Sequence, residues 1–348
     1  MPKETMSPRE RWLAVLNRQT PDRVPMDYQA TPEADKKLLA YLGCAYDEMI
    51  ERLHIDKPYP VGGRYVGPLN DNEWGYEYRV ADYGCGTYNE VSNAPLAKYN
   101  TIDEIEANYR WPKPDDYDYS HIADEVKGKE HLPIMGGGCE VLLIYRNLRG
   151  DIQSYIDLVE NPEIVHYCLD KLFELAYENT RRIFEAIPGM VMITYVAEDL
   201  GAQDRLIYSP QQIEDYLMPN FERIIELVKQ NGSYTFHHDD GAIRNIIPRM
   251  IEAGIDVLNP IQWRCEGMDR ESLKRDFGDK LIFHAGVDNQ YTLPFGTPEE
   301  VRQEVIDNYK ILGAGGGYIL GPCHNIQSVG PPENTIALYE TGYEHGWR

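Results

Sequence analysis

Short apolar runs alternate with helical patterns from about residue 188 onward, and this alternation constrains the fold more than any other feature of the sequence. Each run is short enough for one buried strand, and the interval to the next run leaves room for one helix. The runs cover residues 190–195, 233–236, 255–259, 281–285 and 318–320. Repeated βα units predict a parallel sheet. A chain of 348 residues fits one (β/α)8 TIM barrel of about 250 residues with an N-terminal helical/loop extension of roughly 100.

The first half of the chain has a looser pattern. Residues 24–28 and 132–135 have the character of strands, and the stretch between them is rich in turns. We expect an irregular insertion at about 60–130, whose acidic part, residues 102–125, is a solvated connection or lid rather than core. No break in composition isolates a second core, so residues 1–348 are predicted to form a single barrel domain.

The charge balance excludes some classes of partner. The chain has 34 Lys+Arg against 57 Asp+Glu, a net charge of −23, so nucleic acid is not an expected partner. No apolar run is long enough to span a membrane, and the N-terminus lacks a secretory signal, so we expect a cytoplasmic protein. The six cysteines include no CxxC pair, which argues against a disulfide scaffold or a zinc ribbon.

Polar residues collect directly after the predicted strands. In parallel α/β folds the carboxyl ends of the strands meet at one face, and chemistry takes place on the loops there. The residues delivered to this face are Glu198, Asp199, Gln203, His237, Asp239, Asn259, Asp288, Cys323, His324, Asn325 and Gln327. We therefore expect the active site at this rim.

Three of these residues are candidate metal ligands. His237, Asp239 and Cys323 offer an imidazole, a carboxylate and a thiolate, which are all zinc ligands, and an open fourth position would mark a catalytic site. The alternative is that His237 and Asp239 hydrogen-bond to each other or cap the next helix, with Cys323 as a small buried hydrophobe. Spacing alone leaves both interpretations open.

Several segments together resemble the uroporphyrinogen decarboxylase superfamily. They are residues 7–11 with 22–25, 198–203, 236–241, 254–260, 286–288, and 324–327 with 331–334. The His-x-Asp-Gly and His-Asn-Ile-Gln pieces are most similar to the corrinoid-dependent methyltransferase branch, which includes methylcobamide:thiol methyltransferases and O-demethylase methyltransferases. The resemblance implies a (β/α)8 barrel, a zinc ion, and a corrinoid (cobalamin) carried by a partner protein, since the chain has no DxHxxG cobalamin-binding motif.

The sequence departs from the family pattern at two places. Members that decarboxylate uroporphyrinogen carry an Arg-Gln-Ala-Gly-Arg segment after the first strand, whereas residues 26–31 here contain Asp27 and no arginine. This disfavours a polyacidic porphyrinogen on charge grounds. Thiol-methylating members have a His-x-Cys…Cys ligand pattern, which this chain matches at His237 and Cys323 but with Asp239 in place of the first cysteine. A harder ligand set suits an oxygen substrate.

The resemblance and the departures together predict a zinc-assisted methyltransferase. It would move a methyl group between a small O-methyl donor, such as a methoxylated aromatic, and the cobalt of a corrinoid protein. His324 and Asp288 are the predicted catalytic residues, and His324 would stabilise the leaving oxygen. The residues predicted to bind substrate or to shape its pocket are Tyr28, Glu198, Asp199, Gln203, Asn259, Asn325 and Gln327.

Other functions remain open from the sequence. One alternative is a metal-free decarboxylase of a small acid, in which Asp288 or Asp199 handles the proton. A second is a methylcobamide:thiol methyltransferase. A third is a protein that holds a tetrapyrrole or corrinoid without chemistry, although a rim with several titratable groups favours an enzyme.

Overall fold

Seven strands form one parallel sheet in the computed structural model, which describes residues 3–68, 72–84 and 86–348. The strands of the described residues are β1 (Tyr59–Val61), β2 (Arg64–Tyr65), β3 (Tyr78–Asp82), β4 (Thr87–Val91), β5 (Tyr117–Asp118), β6 (Ile134–Cys139), β7 (Val191–Val196), β8 (Tyr234–His238), β9 (Val257–Asn259), β10 (Ile282–His284) and β11 (Tyr318–Ile319). The order in the parallel sheet follows the chain, β1-β6-β7-β8-β9-β10-β11, as expected for repeated βα units.

The extended segment at residues 24–30 closes the sheet into a barrel. On one side, Asp27 N donates to Leu320 O at 2.8 Å and Leu320 N donates to Pro25 O at 2.9 Å. On the other side, Asp56 N, in the segment that leads into β1, donates to Met26 O at 2.7 Å. The closing segment and the seven sheet strands together form the eight strands of a barrel within the described residues, so the prediction of a (β/α)8 barrel is confirmed.

Helices surround the barrel, and one of them closes its amino end. They are α1 (Pro8–Leu16), α2 (Pro32–Leu42), α3 (Tyr46–Arg52), α4 (Ile102–Asn108), α5 (Ile122–Glu125), α6 (Val141–Arg149), α7 (Asp151–Glu160), α8 (Pro162–Ala186), α9 (Pro210–Tyr216), α10 (Met218–Gln230), α11 (Ile247–Ala253), α12 (Arg270–Phe277), α13 (Thr292–Phe295), α14 (Pro298–Ile311) and α15 (Pro332–His345). Trp12 and Val15 of α1 belong to one apolar cluster with residues of five neighbouring strands, namely Met192, Ile193, Phe236, Val257, Ile282 and Ile319. This apolar layer fills the inside of the barrel near its amino end.

The described residues of the predicted insertion form regular elements and are partly buried. The insertion holds the antiparallel pairs β3–β4 and β2–β5, a 3-10 turn at Pro114–Asp116, and helices α4 and α5. Ile105 and Ile122 in the acidic stretch are fully buried, and Arg182 of α8 pairs with Asp115 at 2.7 Å. The stretch therefore packs onto the barrel and leaves mainly its acidic side chains in solvent, which corrects the expectation of a solvated connection. Within the described ranges, no helix combines the length and apolar character that crossing a bilayer requires.

Candidate metal centre at the carboxyl end of the barrel

A polar layer lies inside the barrel, next to the apolar layer and nearer the carboxyl ends of the strands. Side chains alternate between the two faces of a strand, so the residue two positions after each inward apolar residue also points inward. The members of this layer are Tyr195, His238, Asn259 and His284, which follow Ile193, Phe236, Val257 and Ile282. The rings of Tyr195 and His238 stack with centroids 5.8 Å apart. The side chains inside the barrel thus change from apolar to polar within two residues along each of these strands, toward the carboxyl end.

His238, Asp240 and His324 form the cluster with metal-ligand spacing. Their ligand atoms all lie within 4.8 Å of one another, and no other group of three or more His, Cys, Asp or Glu among the described residues meets that spacing. His238 Nε2 lies 4.0 Å from Asp240 Oδ2. The rings of His238 and His324 are 6.1 Å apart. All three side chains are half-buried, so the cluster is open to the rim.

The cluster fits a divalent ion such as zinc. His238 Nδ1 lies 2.6 Å from the amide of Asn259, which leaves Nε2 as the ring nitrogen that faces the cluster. The nearby Asp199 Oδ1 is buried without a hydrogen-bond partner and lies 3.6 Å from His238 Nε2. The distances from His238 Nε2 to Asp199 and Asp240 are too long for hydrogen bonds. A zinc ion bound by the two imidazoles and the Asp240 carboxylate would give each of these three side chains a partner.

The surroundings of the cluster are acidic. Glu140, Asp199 and Asp240 lie near His238, and the charged groups that act on Glu140 and Asp240 are His238, His324 and Asp199 rather than any lysine or arginine. Burial raises the pKa of Glu140, and Asp199 raises it further. Burial also raises the pKa of Asp240. The rim therefore attracts cations and repels anionic ligands.

An open cavity of about 280 Å³ adjoins the cluster. Its lining is mainly polar and includes Gln203, Asp240, Gln262, Asn289, Gln290 and His324. Gly241 lies beside this cavity with φ +94°, and a Cβ there would come within 2.5 Å of the Gly201 backbone. The loops after β7 and β8 thus meet backbone to backbone, a contact that requires glycine immediately after Asp240.

Comparison with known proteins assigns the chain to a family. The sequence model of "Uroporphyrinogen decarboxylase (URO-D)" matches residues 149–345, more than half of the chain. The chain belongs to the uroporphyrinogen decarboxylase family. The resemblance seen in the sequence is thereby confirmed at the level of the family.

Relatives named uroporphyrinogen decarboxylase are distant in sequence. The protein from Psychromonas ingrahamii is 24% identical over 234 residues, which cover 64% of this chain and 61% of that relative. The protein from Pseudomonas entomophila is 26% identical over 287 residues, covering 75% of this chain and 74% of the relative. Among solved structures, a methyltransferase from Methanosarcina mazei matches with a TM-score of 0.70 and 18% identity over 98% of this chain and 99% of its own. This structural match supports the barrel fold of the URO-D family.

Each residue of the cluster follows a predicted metal ligand by one position in the sequence. His237 and Asp239 are fully buried on the outer face of the barrel, where the His237 ring packs edge-on against Phe221 of α10. His237 Nε2 lies 3.7 Å from Asp239 Oδ2. Burial raises the pKa of Asp239 to about 6. Cys323 is also buried, and its Sγ donates to Ile261 O at 3.3 Å. The predicted trio does not form a cluster with metal-ligand spacing, because the inward residues are His238, Asp240 and His324.

Several predicted pocket residues have structural partners. The Asp288 carboxylate accepts the backbone N–H groups of Tyr291 and Thr292 at 3.0 and 2.9 Å and pairs with Arg264 at 3.0 Å, so it organises the turn into α13. Tyr28 is buried, and its hydroxyl donates to Asp35 at 2.5 Å. The side chain of Asn259 lies between His238 and His284 and contacts both rings. Gln327 Nε2 donates to Asn325 O. Gln203 lines the cavity together with His324.

Glu198 holds the start of α6. Its carboxylate is fully buried and accepts the N–H groups of Val141 at 2.5 Å and of Leu142 at 2.9 Å. A carboxylate at a helix N-terminus receives hydrogen bonds from backbone groups that have no partner within the helix. The predicted role of Glu198 in substrate binding is therefore replaced by a role in positioning α6, while its neighbour Asp199 faces the cluster.

We expect Glu198→Ala to lower the free energy of unfolding by about 2–3 kcal/mol, because two buried N–H groups lose their carboxyl acceptor. Zinc content should stay as in the wild type. Urea unfolding and metal analysis check the two expectations, with Glu198→Gln as the control that keeps an acceptor oxygen. A loss of bound metal with unchanged stability would instead assign Glu198 to the site.

Proposed function

We propose that the protein is a metal-dependent methyltransferase that moves a methyl group between a small O-methyl donor and the cobalt of a corrinoid held by a partner protein. The observation that carries the proposal is the His238, Asp240 and His324 cluster at the carboxyl end of a URO-D family barrel. Active sites of (β/α)8 barrels lie at this end. A cluster of titratable groups beside a cavity favours catalysis over simple carriage.

The residues around the cluster supply the means to bind and activate such a donor. A methyl group on oxygen becomes a good electrophile only when the oxygen is polarised, and a divalent ion held by His238, Asp240 and His324 would supply that Lewis acidity. Two imidazoles and a carboxylate are a harder ligand set than one that contains thiolates, and such a set suits an oxygen substrate better than a thiol. The raised pKa of Glu140 keeps its carboxyl group protonated to higher pH and makes it the candidate acid for the departing oxygen.

The cavity size and charge restrict the donor. A cavity of about 280 Å³ suits a molecule with one aromatic ring. The side-chain amides of Gln203, Gln262 and Gln290 can orient the donor by hydrogen bonds to its oxygens. A corrinoid would be presented at the open rim by its carrier protein.

The acidic rim argues against the reaction named for the relatives. A uroporphyrinogen carries many carboxylates, and here they would face the carboxylate of Asp199, with no lysine or arginine among the charged groups that act on Glu140 and Asp240. Like charges a few ångström apart in a partly buried site repel each other. The charge of the site thus favours methyl transfer over porphyrinogen decarboxylation.

The experiment compares the two reactions directly. Zinc-loaded protein is mixed anaerobically with cob(I)alamin and a panel of methoxylated aromatics, and methylcobalamin is followed by its absorbance. In parallel, the protein is given uroporphyrinogen and release of carbon dioxide is measured. We expect methylcobalamin with at least one donor and none with protein stripped by a chelator. Carbon dioxide release without methyl transfer would overturn the proposal.

A further inference from the structure

Four side chains inside the barrel form a continuous chain of polar contacts that ends at the candidate metal centre. Asp27 Oδ2 lies 3.1 Å from His284 Nε2, and His284 Nδ1 lies 2.7 Å from Asn259 Nδ2. Asn259 Oδ1 lies 2.6 Å from His238 Nδ1. Asp27, His284 and Asn259 are each at most 4% exposed. A buried carboxylate on the closing segment is thus connected to His238 through residues of β9 and β10.

The carboxylate at one end sets the direction of every hydrogen bond in this chain. Asp27 Oδ1 accepts the N–H of Tyr28 at 2.7 Å, and Asp27 Oδ2 accepts from His284 Nε2. His284 Nε2 must therefore carry a hydrogen, which in the neutral ring leaves Nδ1 as an acceptor. The Asn259 amide then donates from Nδ2 to His284 and turns its Oδ1 toward His238.

The last bond fixes the tautomer of His238. An amide oxygen accepts from an N–H, so His238 carries its hydrogen on Nδ1, and the Nε2 lone pair points toward Asp240 and Asp199. A ring nitrogen must offer a lone pair to bind a metal, and the tautomer is set by the hydrogen bond of the other nitrogen. The reverse tautomer would present an N–H to the cluster and exclude the ion.

The surroundings of the chain make this arrangement rigid. The His284 ring packs against Phe236 at 4.9 Å, edge to face, and against Trp12 at 5.7 Å. These aromatic contacts exclude water, and hydrogen bonds in a dry environment are stronger and cooperative. The four side chains lie on the closing segment and on the neighbouring strands β8, β9 and β10, so the barrel itself holds them in register.

We infer that Asp27, His284 and Asn259 are positioning residues that hold His238 in the metal-binding tautomer. The inference rests on the proposed metal centre but makes a separate claim about the protein before any ion is bound. Asn259 therefore acts through His238, and its predicted contact with substrate is replaced by this role.

The first test measures the tautomer in the metal-free protein. Long-range ¹⁵N–¹H correlation spectra distinguish a ring protonated on Nδ1 from one protonated on Nε2, and His238→Gln identifies the signal. We expect His238 to carry its hydrogen on Nδ1 in the wild type. Finding it on Nε2 would overturn the inference, whether or not any variant folds.

The second test measures zinc affinity by competition with a chromophoric chelator. Asn259→Leu removes the acceptor and should weaken zinc binding about 10–100-fold, the range for loss of a partner that orients a metal ligand. Asn259→Asp keeps an acceptor for His238 Nδ1 and should bind zinc nearly as the wild type does. Asn334→Leu is the matched control, because Asn334 is equally buried but donates to Leu293 O and Gly296 O.

The outcomes separate this inference from the proposed function. Wild-type zinc affinity in a folded Asn259→Leu variant would overturn the positioning role and leave the metal centre standing. An Nδ1-protonated His238 in a protein that binds no zinc would support the hydrogen-bond chain and overturn the metal-dependent function. Equal losses in Asn259→Leu and Asn334→Leu would assign the effect to packing and overturn the inference.

Discussion

We expect the wild-type chain to bind about one zinc ion per molecule, and His324→Ala to lose that ion and to lower methyl transfer at least about 100-fold. The reason is that loss of a residue that only orients a ligand already costs 10–100-fold, and loss of a ligand leaves two donors for an ion that requires three or more from the protein. Asp240→Ala should have the same effect. Plasma mass spectrometry and the cobalamin assay measure the two quantities.

The neighbouring residues provide matched controls for these substitutions. Cys323→Ala should keep the ion, because the thiol is buried and donates to Ile261 O, outside the cluster with metal-ligand spacing. Asp239→Asn should keep it as well, since that carboxylate faces the outer layer. Loss of zinc in Cys323→Ala together with retention in His324→Ala would restore His237, Asp239 and Cys323 as the ligand set.

The sequence predicts the barrel well because its signal is periodic. Apolar runs at regular intervals separated by helical patterns have few solutions other than a closed parallel sheet, and the structure contains the five predicted later strands. The strand at Tyr59–Val61 escapes this reasoning because Pro58 and Pro60 break the apolar pattern and two glycines follow. It falls within the range assigned to the insertion, so the irregular part begins only after this strand.

The sequence also places the candidate site at the carboxyl end of the strands, but it does not give the orientation of the candidate residues. Strands of a parallel barrel are buried on both faces and read as continuous apolar runs, so their inward residues cannot be identified from polarity. The β8 run was predicted to end at Phe236, whereas the strand continues to His238. Counting by two from Phe236, once it is known to face inward, selects His238 and Asp240 instead of His237 and Asp239.

The hydrogen-bond chain behind His238 is beyond sequence reasoning for a different reason. Asp27 and His284 are 257 residues apart, and nothing in the local pattern of either residue indicates a partner. Only closure of the barrel brings the closing segment beside β11 and places the side chains of Asp27 and His284 in one polar layer. Contacts of this kind depend on the global fold, so they become visible after the topology is known.

The same closure makes Asp56 a residue whose loss should strongly destabilise the protein. Its buried carboxylate pairs with Arg11 at 2.6 Å and Arg23 at 2.7 Å and accepts Met26 N at 2.9 Å, which ties α1 and the closing segment to the strand that follows. Asp56→Ala leaves two buried guanidinium groups without their central partner. We expect a loss of about 3–5 kcal/mol in the free energy of unfolding, a large part of the 5–15 kcal/mol typical of a folded protein.

Glu4→Ala is the matched control in urea unfolding. Glu4 pairs with the same two arginines but is partly exposed, and exposed pairs contribute about 1 kcal/mol or less to stability. Similar losses for the two variants would show that burial does not set the strength of this cluster.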